Sequence, residues 1–464
     1  MTYTKFTPEQ YDIVEHAQNI DGILLVSAGA GTGKSFLAEQ ITLLLKPARG
    51  LYTAFNKAIV HEGVLRFEGT NMECKTLHAL AYRYVKPTQP IEDISYSCIK
   101  EQIPYSAKAQ IITAINEFYV SASVDMFEFM DNHFEETSLR DLALIYIEKM
   151  VAGELNPTFN FLLKYFHLLL VEGEVKIKYD LIILDEINDT TGVALEIFKL
   201  LQAPKKLGLG ETNQAIYDFL NLVDGFEELK EAPVLNLTQS FRCSTEVASR
   251  IDRFMKHHVN ESFSFIGTDE PVRNGKTLAC TLTNAKIVHL ISERLRMNKG
   301  FTLLREAKEI FAYPLAITSA AKGNEVYQKK YRYLETEYKE FVKNKKKNTT
   351  FLSHLLEHVG DQETKSAVNL LLTLSKKSIN LFDLYAKAKE AREDPKYTIA
   401  TVYTSKGLEY ETVYISDDLN NRIETIVNNG GIETHEDLVA FRCYYVAASR
   451  CGVDLRNATA LNLF

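Results

Sequence analysis

The sequence predicts an α/β protein built from two domains with parallel sheets, and each domain carries a helical insertion. Seven short apolar segments have the composition of buried strands, and most are followed by a helical pattern, which is the alternation of parallel strands joined by crossover helices. An eighth candidate strand, Gly22–Ser27, leads into a glycine-rich loop and then a helical segment. The seven segments are Leu51–Phe55, Leu181–Leu184, Lys206–Leu209, Val234–Leu237, Thr277–Leu282, Thr398–Tyr403 and Val413–Ser416.

Two long interruptions of this alternation set the predicted domain boundaries. The first contains three segments with helical spacing, Ala107–Val120, Ser138–Val151 and Phe159–Val171, and the second is rich in Tyr and Lys and then in Leu. The predicted ranges are 1–85 and 177–235 for the first α/β domain, 86–176 for its insertion, 236–322 and 396–464 for the second α/β domain, and 323–395 for its insertion.

The composition narrows the class of protein. The chain has 464 residues, of which 46% are hydrophobic and 25% charged, and these values exclude a disordered, collagen-like or purely coiled-coil protein. No apolar run approaches the roughly 18 residues of a membrane span, and the N-terminus lacks a signal-peptide layout, so we expect a cytoplasmic protein, associated with the nucleoid if the host is a bacterium or a phage. The net charge of −8 argues against indiscriminate coating of nucleic acid but allows a local basic groove. The six scattered cysteines form no C-x-x-C pair, so we expect reduced thiols.

The loop from Ala28 to Ser35 is the strongest chemical signal. Backbone N–H groups at the start of a helix form an anion-binding nest, and glycines let the chain close around a phosphate. In the pattern G-x-x-x-x-G-K-[ST], Lys34 would hold the β- and γ-phosphates and Ser35 would bind Mg²⁺; Ala28 replaces the usual first glycine. A nucleotide-binding loop is favoured over a chance glycine turn because a strand precedes it and a helix follows. Its eight residues are Ala28, Gly29, Ala30, Gly31, Thr32, Gly33, Lys34 and Ser35.

Two carboxylates, Asp185 and Glu186, end the apolar segment Leu181–Leu184. At the carboxyl edge of a parallel sheet, beside a phosphate loop, the first can hold Mg²⁺ through water and the second can deprotonate the attacking water. The alternative is a pair of solvated turn charges. The apolar strand before the pair favours the catalytic interpretation.

Hydrolysis also requires cations against the charge that develops on the γ-phosphate. Arg242 follows the strand Val234–Leu237, and Arg450 ends the segment Tyr445-Val-Ala-Ala-Ser-Arg near the C-terminus. Composition alone leaves both arginines open as solvated surface charges.

The ordered set of motifs makes the interpretation specific. The chain resembles superfamily-one helicases of the UvrD/Rep type, and within them it looks most like the F-box DNA helicase branch. The resemblance covers nearly the whole chain. The motifs are Phe6-Thr-Pro-Glu-Gln10, Ala28–Ser35, Ala54-Phe-Asn-Lys57, Thr76-Leu-His78, Asp185-Glu-Ile-Asn-Asp189, Gly210-Glu-Thr-Asn-Gln214-Ala-Ile-Tyr217, Gln239–Arg242, Thr404-Ser-Lys-Gly-Leu-Glu409 and Tyr445–Arg450.

The resemblance implies a role at each matching position. Gln10 would contact the adenine edge and Phe241 its ring, while Arg242 and Arg450 would reach the γ-phosphate from the second domain. Gln214 would sense the γ-phosphate and couple it to DNA, and Glu409 would bind the ribose or help couple the domains. The positions where the family touches single-stranded DNA are Phe55, Asn56, Thr76, His78 and Tyr217. A structural histidine at position 78 and a core aromatic at position 217 remain alternatives.

Together these observations predict two RecA-like domains across an ATP cleft, acting with Mg²⁺ as a DNA helicase that moves 3′ to 5′ on single-stranded DNA. Its expected partners are single strands and duplexes with a 3′ tail, and a nuclease, recombinase or replication factor. One alternative is a protein-stripping translocase or an accessory subunit of a nuclease or defence complex, and another is a nucleotide-gated interaction module. A P-loop kinase would leave the later motifs unexplained.

Departures from the family pattern concern DNA binding and coupling. Glu211 stands where Asp is usual, and Phe219-Leu-Asn-Leu222 replaces a segment that carries an arginine. Tyr403 and Leu282 replace a usual His and a common Arg. A second candidate DNA surface interleaves aromatic and basic residues, a composition suited to stacking and phosphate neutralisation, although a solvated amphipathic helix would look the same. Its members are Tyr327, Lys329, Lys330, Tyr331, Arg332, Tyr333, Tyr338, Lys339, Lys343 and Lys345–Lys347.

Overall fold

The computed structural model describes residues 6–54, 57–217, 222–344, 349–359 and 361–464. The chain divides into two compact units, Met1–Thr238 and Gln239–Phe464. None of the helices in these described ranges combines the length and the apolar character that a membrane crossing needs.

The first unit is organised by a six-stranded sheet in the order β3-β2-β4-β6-β1-β8, in which every neighbouring pair is parallel. A short antiparallel pair, β5 with β7, lies outside it. Because the main strands are parallel, their carboxyl ends share one edge of the sheet. The strands are β1 (Gly22–Ala28), β2 (Gly50–Ala54), β3 (Met72–Cys74), β4 (Leu181–Asp185), β5 (Thr190–Thr191), β6 (Lys205–Gly210), β7 (Leu222–Val223) and β8 (Val234–Leu237).

Helices cover both faces of this sheet, as alternate residues of its central strands show. In β1, Leu24 and Val26 enter one apolar cluster and Leu25 enters the other. In β4, Ile183 and Leu184 divide in the same way. Strands buried on both faces read as continuous apolar runs, which is why the sequence revealed them. The helices of this unit are α1 (Pro8–Asn19), α2 (Lys34–Leu45), α3 (Lys57–Arg66), α4 (Leu77–Val85), α5 (Tyr105–Val120), α6 (Met126–His133), α7 (Thr137–Val151), α8 (Phe159–Val171), α9 (Gly192–Leu200) and α10 (Gly225–Glu228).

Helices α5 to α8 form a layer with a core of its own. Ile115, Met130, Ile147 and Leu162 come from four different helices and meet in one buried cluster. On α8, Leu163 and Phe166 belong instead to a cluster of the sheet. Helix α8 therefore joins the insertion to the α/β core.

The second unit contains a five-stranded parallel sheet in the order β12-β13-β11-β14-β15, and β9 pairs with β10 in a separate parallel ribbon. The strands are β9 (Gln239–Ser244), β10 (Ile266–Thr268), β11 (Thr277–Thr281), β12 (Thr302–Leu303), β13 (Tyr397–Thr401), β14 (Tyr410–Ile415) and β15 (Cys451–Arg456). The helices are α11 (Thr245–His258), α12 (Asn284–Arg296), α13 (Ala307–Ile310), α14 (Ala312–Ala320), α15 (Tyr333–Asn344), α16 (Phe351–His358), α17 (Gln362–Lys376), α18 (Leu381–Lys389), α19 (Val402–Ser405), α20 (Asp417–Asn428) and α21 (His435–Ala448).

The predicted fold class, two α/β domains with parallel sheets, is confirmed. Each predicted strand overlaps an observed one, and the predicted helical segments correspond to α5, α7 and α8. The sequence did not predict β3, β5, β7, β9, β10, β12 or β15, of which β5, β7 and β12 have only two residues each. Strand β3 has only three residues, all half-buried, and β15 ends in charged residues, so neither forms an apolar run.

Buried His167 on α8 makes the stability of the first unit dependent on pH. Its side chain is 1% exposed, and within the part of the chain that the structure describes its Nδ1 atom has no hydrogen-bond partner. Burial, together with the ammonium group of Lys164, lowers the pKa of His167 to about 4. In the unfolded chain the His167 ring therefore becomes protonated near pH 6.5, whereas in the folded chain it stays neutral until about pH 4.

We expect the contribution of His167 to the free energy of unfolding to be full above pH 6.5 and to be lost as the pH falls towards 4. Between pH 7 and pH 5 this group should account for about 2 kcal/mol. Urea unfolding at the two pH values should show that His167→Leu loses less free energy of unfolding between pH 7 and pH 5 than wild type does. His61→Leu, a change of an exposed histidine on α3, should keep the wild-type pH dependence. Equal pH dependence of His167→Leu and wild type would contradict this assignment.

Candidate nucleotide site and candidate DNA contacts

The phosphate loop connects β1 to α2 in a conformation that presents backbone N–H groups. Gly31 and Gly33 have φ values of 72° and 83°, in the left-handed region that glycine adopts without strain. Gly33 is the residue before α2, and among the described residues no side chain caps the first turn of this helix. The N–H groups that a cap would satisfy are therefore directed towards the loop, as an anion site requires.

The loop is also fixed from within. The Thr32 hydroxyl and backbone N–H both donate to the carbonyl oxygen of Gly29, at 2.8 and 3.2 Å. The N–H of Gly29 donates in turn to the carbonyl oxygen of Leu237 at the end of β8. Ala28 and Ala30 are each 2% exposed. The alanine that replaces the usual first glycine is therefore a packed residue of β1, and the turn begins after it.

Lys34 lies against both predicted catalytic carboxylates. Its Nζ atom is 2.6 Å from Glu186 Oε1 and 3.0 Å from Asp185 Oδ1. These residues are 152 and 151 positions apart in sequence, and the parallel order β4-β6-β1 brings them to the same edge of the sheet. Burial by itself would lower the pKa of Lys34, but the charges of Asp185 and Glu186 raise it above its ordinary value. Lys34 therefore remains a cation.

Asp185 is held on both of its oxygens. Oδ1 accepts a hydrogen bond from the backbone N–H of Glu186 at 2.9 Å, and Oδ2 accepts one from the hydroxyl of Tyr52 on β2 at 2.5 Å. Burial, together with the charge of Asp185, raises the pKa of Tyr52, so the hydroxyl stays protonated as a donor. Sequence inspection missed Tyr52, since within β2 it reads as an ordinary strand aromatic.

Glu186 has an unusual backbone. Its φ of 54° lies in the left-handed region, which a non-glycine residue occupies at a cost of about 1–3 kcal/mol. The turn starts directly after β4 and leaves the side chain 20% exposed, whereas Asp185 is almost fully buried. One carboxylate is thus fixed in the sheet and the other faces the loop.

This donor set fits magnesium and a nucleoside triphosphate. Hard oxygen donors, the Asp185 carboxylate and the hydroxyl of Ser35 at the second position of α2, are the type that Mg²⁺ prefers. The glycine loop, the uncapped helix and Lys34 are complementary to phosphate charge.

Gln214 is joined to the same edge of the sheet. Its Nε2 donates to Glu211 Oε2 at 2.5 Å, and the backbone N–H of Glu211 donates to Asn188 Oδ1 at 2.9 Å. All three residues are buried. The Glu that replaces the usual Asp at position 211 therefore holds Gln214, and Asn188 connects the pair to the turn after β4.

Gln10 has a structural role in the first helix. It lies three residues after Thr7, which caps α1, and the backbone N–H of Thr7 donates to Gln10 Oε1 at 3.1 Å. Glu9 accepts hydrogen bonds from the backbone and hydroxyl of Thr238, which fixes α1 to the end of β8. The predicted contact of Gln10 with adenine remains a prediction.

The predicted DNA-contacting residues are only partly described. Phe55 and Asn56 lie outside the described residues. Thr76 caps α4, and its hydroxyl accepts from the N–H of Ala79 at 3.2 Å. His78 is half-buried, with Nε2 3.4 Å from Asn160 Oδ1 at the start of α8. Tyr217 is half-buried and ends a described range. Of the replaced segment 219–222, only Leu222, at the start of β7, lies within the described residues.

In the second unit, four predicted nucleotide-site residues lie together. Arg242 donates from Nε to Glu409 Oε2 at 3.4 Å and from Nη1 to the carbonyl oxygen of Ser449 at 3.1 Å. Arg450 follows Ser449 directly, and its Nη1 donates to the carbonyl oxygen of Leu408 at 3.5 Å.

The exposure of these residues differs. Arg450 is 1% exposed and Arg242 8%, so neither is the solvated surface charge that composition left open. Phe241, beside Arg242, is 45% exposed and presents an aromatic face. The two arginines and Glu409 form one group within the second unit, and Phe241 is the neighbour of Arg242 along β9.

The tyrosine- and lysine-rich surface divides into packed and exposed residues. Tyr331 and Tyr338 pack against an apolar cluster of α14 to α17, and the Tyr333 hydroxyl lies 2.9 Å from that of Tyr313. Tyr327 is 88% exposed. Lys345–Lys347 lie outside the described residues. Tyr331 and Tyr338 therefore serve the core, whereas Tyr327 and Tyr333, which is 41% exposed, remain candidate contacts with their neighbouring cations.

The chain is similar in sequence to proteins of known family. A family model described as an AAA domain matches residues 10–220. F-box DNA helicase 1 of Gallus gallus is 24% identical over 474 residues, which cover 90% of this chain and 45% of that protein. F-box DNA helicase protein 1 of Schizosaccharomyces pombe is 23% identical over 497 residues, covering 90% and 53%. The mitochondrial ATP-dependent DNA helicase HMI1 of Saccharomyces cerevisiae is 24% identical over 311 residues, covering 57% and 43%.

These matches confirm the resemblance to superfamily-one helicases of the UvrD/Rep type. Within that superfamily, the two F-box DNA helicases are similar to this chain over 90% of its length. The chain spans about half the length of the curated relatives that it matches.

We expect Glu186→Gln to bind ATP and to hydrolyse it about 10²- to 10⁴-fold more slowly, since the amide can still accept from Lys34 but cannot take a proton from water. Lys34→Ala should instead lose nucleotide affinity, because it removes the phosphate-binding cation. Equilibrium binding of a fluorescent ATP analogue and steady-state phosphate release separate the two effects. Glu15→Gln, on the exposed face of α1, is the control and should behave as wild type. Wild-type turnover by Glu186→Gln would remove Glu186 as the base.

Proposed function

We propose that this chain is an ATP-dependent DNA helicase or translocase that moves 3′ to 5′ along single-stranded DNA and couples ATP hydrolysis to duplex unwinding. The observation that carries the proposal is the grouping of Lys34, Asp185 and Glu186 beside the phosphate loop and the uncapped start of α2. A site that only bound nucleotide would not need a carboxylate beside the γ-phosphate position. The relatives named as DNA helicases support the choice of DNA as the track.

Each nucleotide-site residue of the first unit has a defined role in the proposed reaction. The loop N–H groups and the Lys34 ammonium bind the β- and γ-phosphates. Ser35 and Asp185 would hold Mg²⁺, which would supply positive charge against the leaving nucleoside diphosphate. Glu186 orients the attacking water and accepts its proton. When the phosphates bind, the Lys34 ammonium exchanges its carboxylate partners for phosphate oxygens, which frees Glu186 to act as a base.

The arginines of the second unit supply positive charge for the γ-phosphate in the proposed mechanism. Arg242 and Arg450 contribute guanidinium groups against the γ-phosphate, Phe241 stacks on the adenine held by Gln10, and Glu409 binds the ribose. The support is the grouping of Arg242, Arg450, Phe241 and Glu409 within one unit and the burial of both cations. A buried guanidinium is desolvated in advance and therefore interacts strongly with developing anionic charge.

Gln214 couples nucleotide to DNA in this mechanism. Glu211 and Asn188 join it to the turn that carries Glu186. A change at the γ-phosphate therefore has a short hydrogen-bonded route to the segment that ends in Tyr217, where a base would stack. Phe55, Asn56, Thr76 and His78 supply the remaining contacts with the strand. A different affinity for DNA in the ATP-bound and nucleotide-free states turns hydrolysis into movement.

We expect ATP hydrolysis to rise by at least about 10-fold when single-stranded DNA is added, and this stimulation to fall steeply between 50 and about 200 mM salt as phosphate contacts are screened. A duplex with a 3′ single-stranded tail should be opened in preference to the same duplex with a 5′ tail. A blunt duplex of identical sequence is the control. Equal ATPase rates with and without DNA would contradict the proposed function, and preferential opening of the 5′-tailed duplex would reverse the direction.

A further inference from the structure

The Tyr52 side chain joins the proposed metal ligand to a helix outside the nucleotide site. Tyr52 is 3% exposed, and its hydroxyl donates to Asp185 Oδ2 at 2.5 Å. The strand register pairs Tyr52 with Ile183, so the ring reaches forward along β4 to the carboxylate two residues later. No sequence motif or predicted role includes this residue.

Two contacts determine where the hydroxyl lies. The Tyr52 ring packs against Phe67, with ring centroids 5.0 Å apart. Gly63 of α3 also lies against the ring, since a Cβ added there would come within 2.6 Å of two ring carbons. Glycine at position 63 therefore provides the space in which the Tyr52 ring points its hydroxyl at Asp185.

The Tyr52 hydroxyl also limits how Asp185 can interact with Lys34. Oδ1 already accepts from the N–H of Glu186 and lies 3.0 Å from the Lys34 ammonium. Without the second donor, the carboxylate could rotate and present both oxygens to Lys34. Such a pair would compete with phosphate for the ammonium and with Mg²⁺ for the carboxylate.

We propose that Tyr52 is the positioning residue of the metal site: its hydroxyl fixes the Asp185 carboxylate for Mg²⁺, and its ring ties that carboxylate to α3. The inference rests on the proposed function, because it takes Asp185 as a metal ligand. Helix α3 begins directly after positions 55 and 56, the segment predicted to contact DNA. Tyr52 thus connects α3, the helix that follows that segment in sequence, to the metal site by a route separate from Gln214.

Tyr52→Phe removes the hydroxyl and keeps the ring, so it isolates the positioning effect. The matched control is Tyr179→Phe, because Tyr179 is equally buried in the same unit and its hydroxyl donates to a different carboxylate, Glu73 Oε2, at 3.2 Å. The readout is the dissociation constant of Mn²⁺, measured by electron paramagnetic resonance on the full chain saturated with a non-hydrolysable ATP analogue. This quantity does not depend on turnover.

We expect Tyr52→Phe to weaken Mn²⁺ binding by about 10-fold, as loss of an outer hydrogen bond to a metal ligand commonly does, and Tyr179→Phe to stay within about twofold of wild type. Equal Mn²⁺ affinities for Tyr52→Phe and Tyr179→Phe would overturn the inference. If wild type bound the nucleotide analogue and Mn²⁺ normally, that result would leave the proposed function intact. Failure of wild type to bind the analogue would count against the proposed function itself.

Gly63→Ala gives a second, independent test. The added methyl group should push the ring and move the hydroxyl away from Asp185, so Mn²⁺ affinity should fall although Tyr52 is intact. In the double variant with Tyr52→Phe, Gly63→Ala should cause no further loss, because both changes act through the same hydroxyl. Full additivity of the two losses would contradict the proposed route from α3 through Tyr52.

Discussion

The ion pairs between Lys34 and the adjacent carboxylates of Asp185 and Glu186 are the interaction on which the nucleotide site depends. Two neighbouring carboxylates at a partly buried sheet edge repel each other and lose hydration, and one is further strained by a positive φ. The ammonium group, 2.6 Å from one and 3.0 Å from the other, makes this arrangement tolerable. The same three charges are those that phosphoryl transfer needs, so the stable free state already contains the reactive groups.

The fold is what assembles these charges. Parallel pairing places the carboxyl ends of β1, β4 and β6 at one edge, which puts the glycine loop, the carboxylates and Glu211 within reach of one another. Hydrogen bonds then remove freedom from each group: Tyr52 and the Glu186 N–H hold Asp185, and Glu211 holds Gln214. The second unit applies the same principle to its cations, since Arg242 and Arg450 are buried against backbone carbonyl groups. Oriented charge is therefore present in both units before any ligand binds.

Sequence predicted those parts of this arrangement that depend on local pattern. The loop at Ala28–Ser35 and the pair after Leu181–Leu184 are short motifs next to apolar strands, so their chemistry could be inferred without tertiary structure. Tyr52 could not be found in this way, because its function arises from the cross-strand position of Asp185, 133 residues later. Equally, tyrosines 331 and 338 looked like a nucleic-acid surface, since composition does not reveal which face of a helix packs inward. For Thr76 and Gln10 the structure supplies a capping role that composition had not indicated.

The proposed mechanism requires Lys34 to exchange carboxylate for phosphate when nucleotide binds. A crystal structure with Mg²⁺, ADP and a γ-phosphate mimic such as aluminium fluoride tests it most directly. We predict that Lys34 Nζ lies within about 3 Å of phosphate or fluoride atoms and has left Glu186 Oε1, with Glu186 facing the attacking water. A complex in which Lys34 still pairs with Glu186 and the nucleotide lies away from the loop would contradict it.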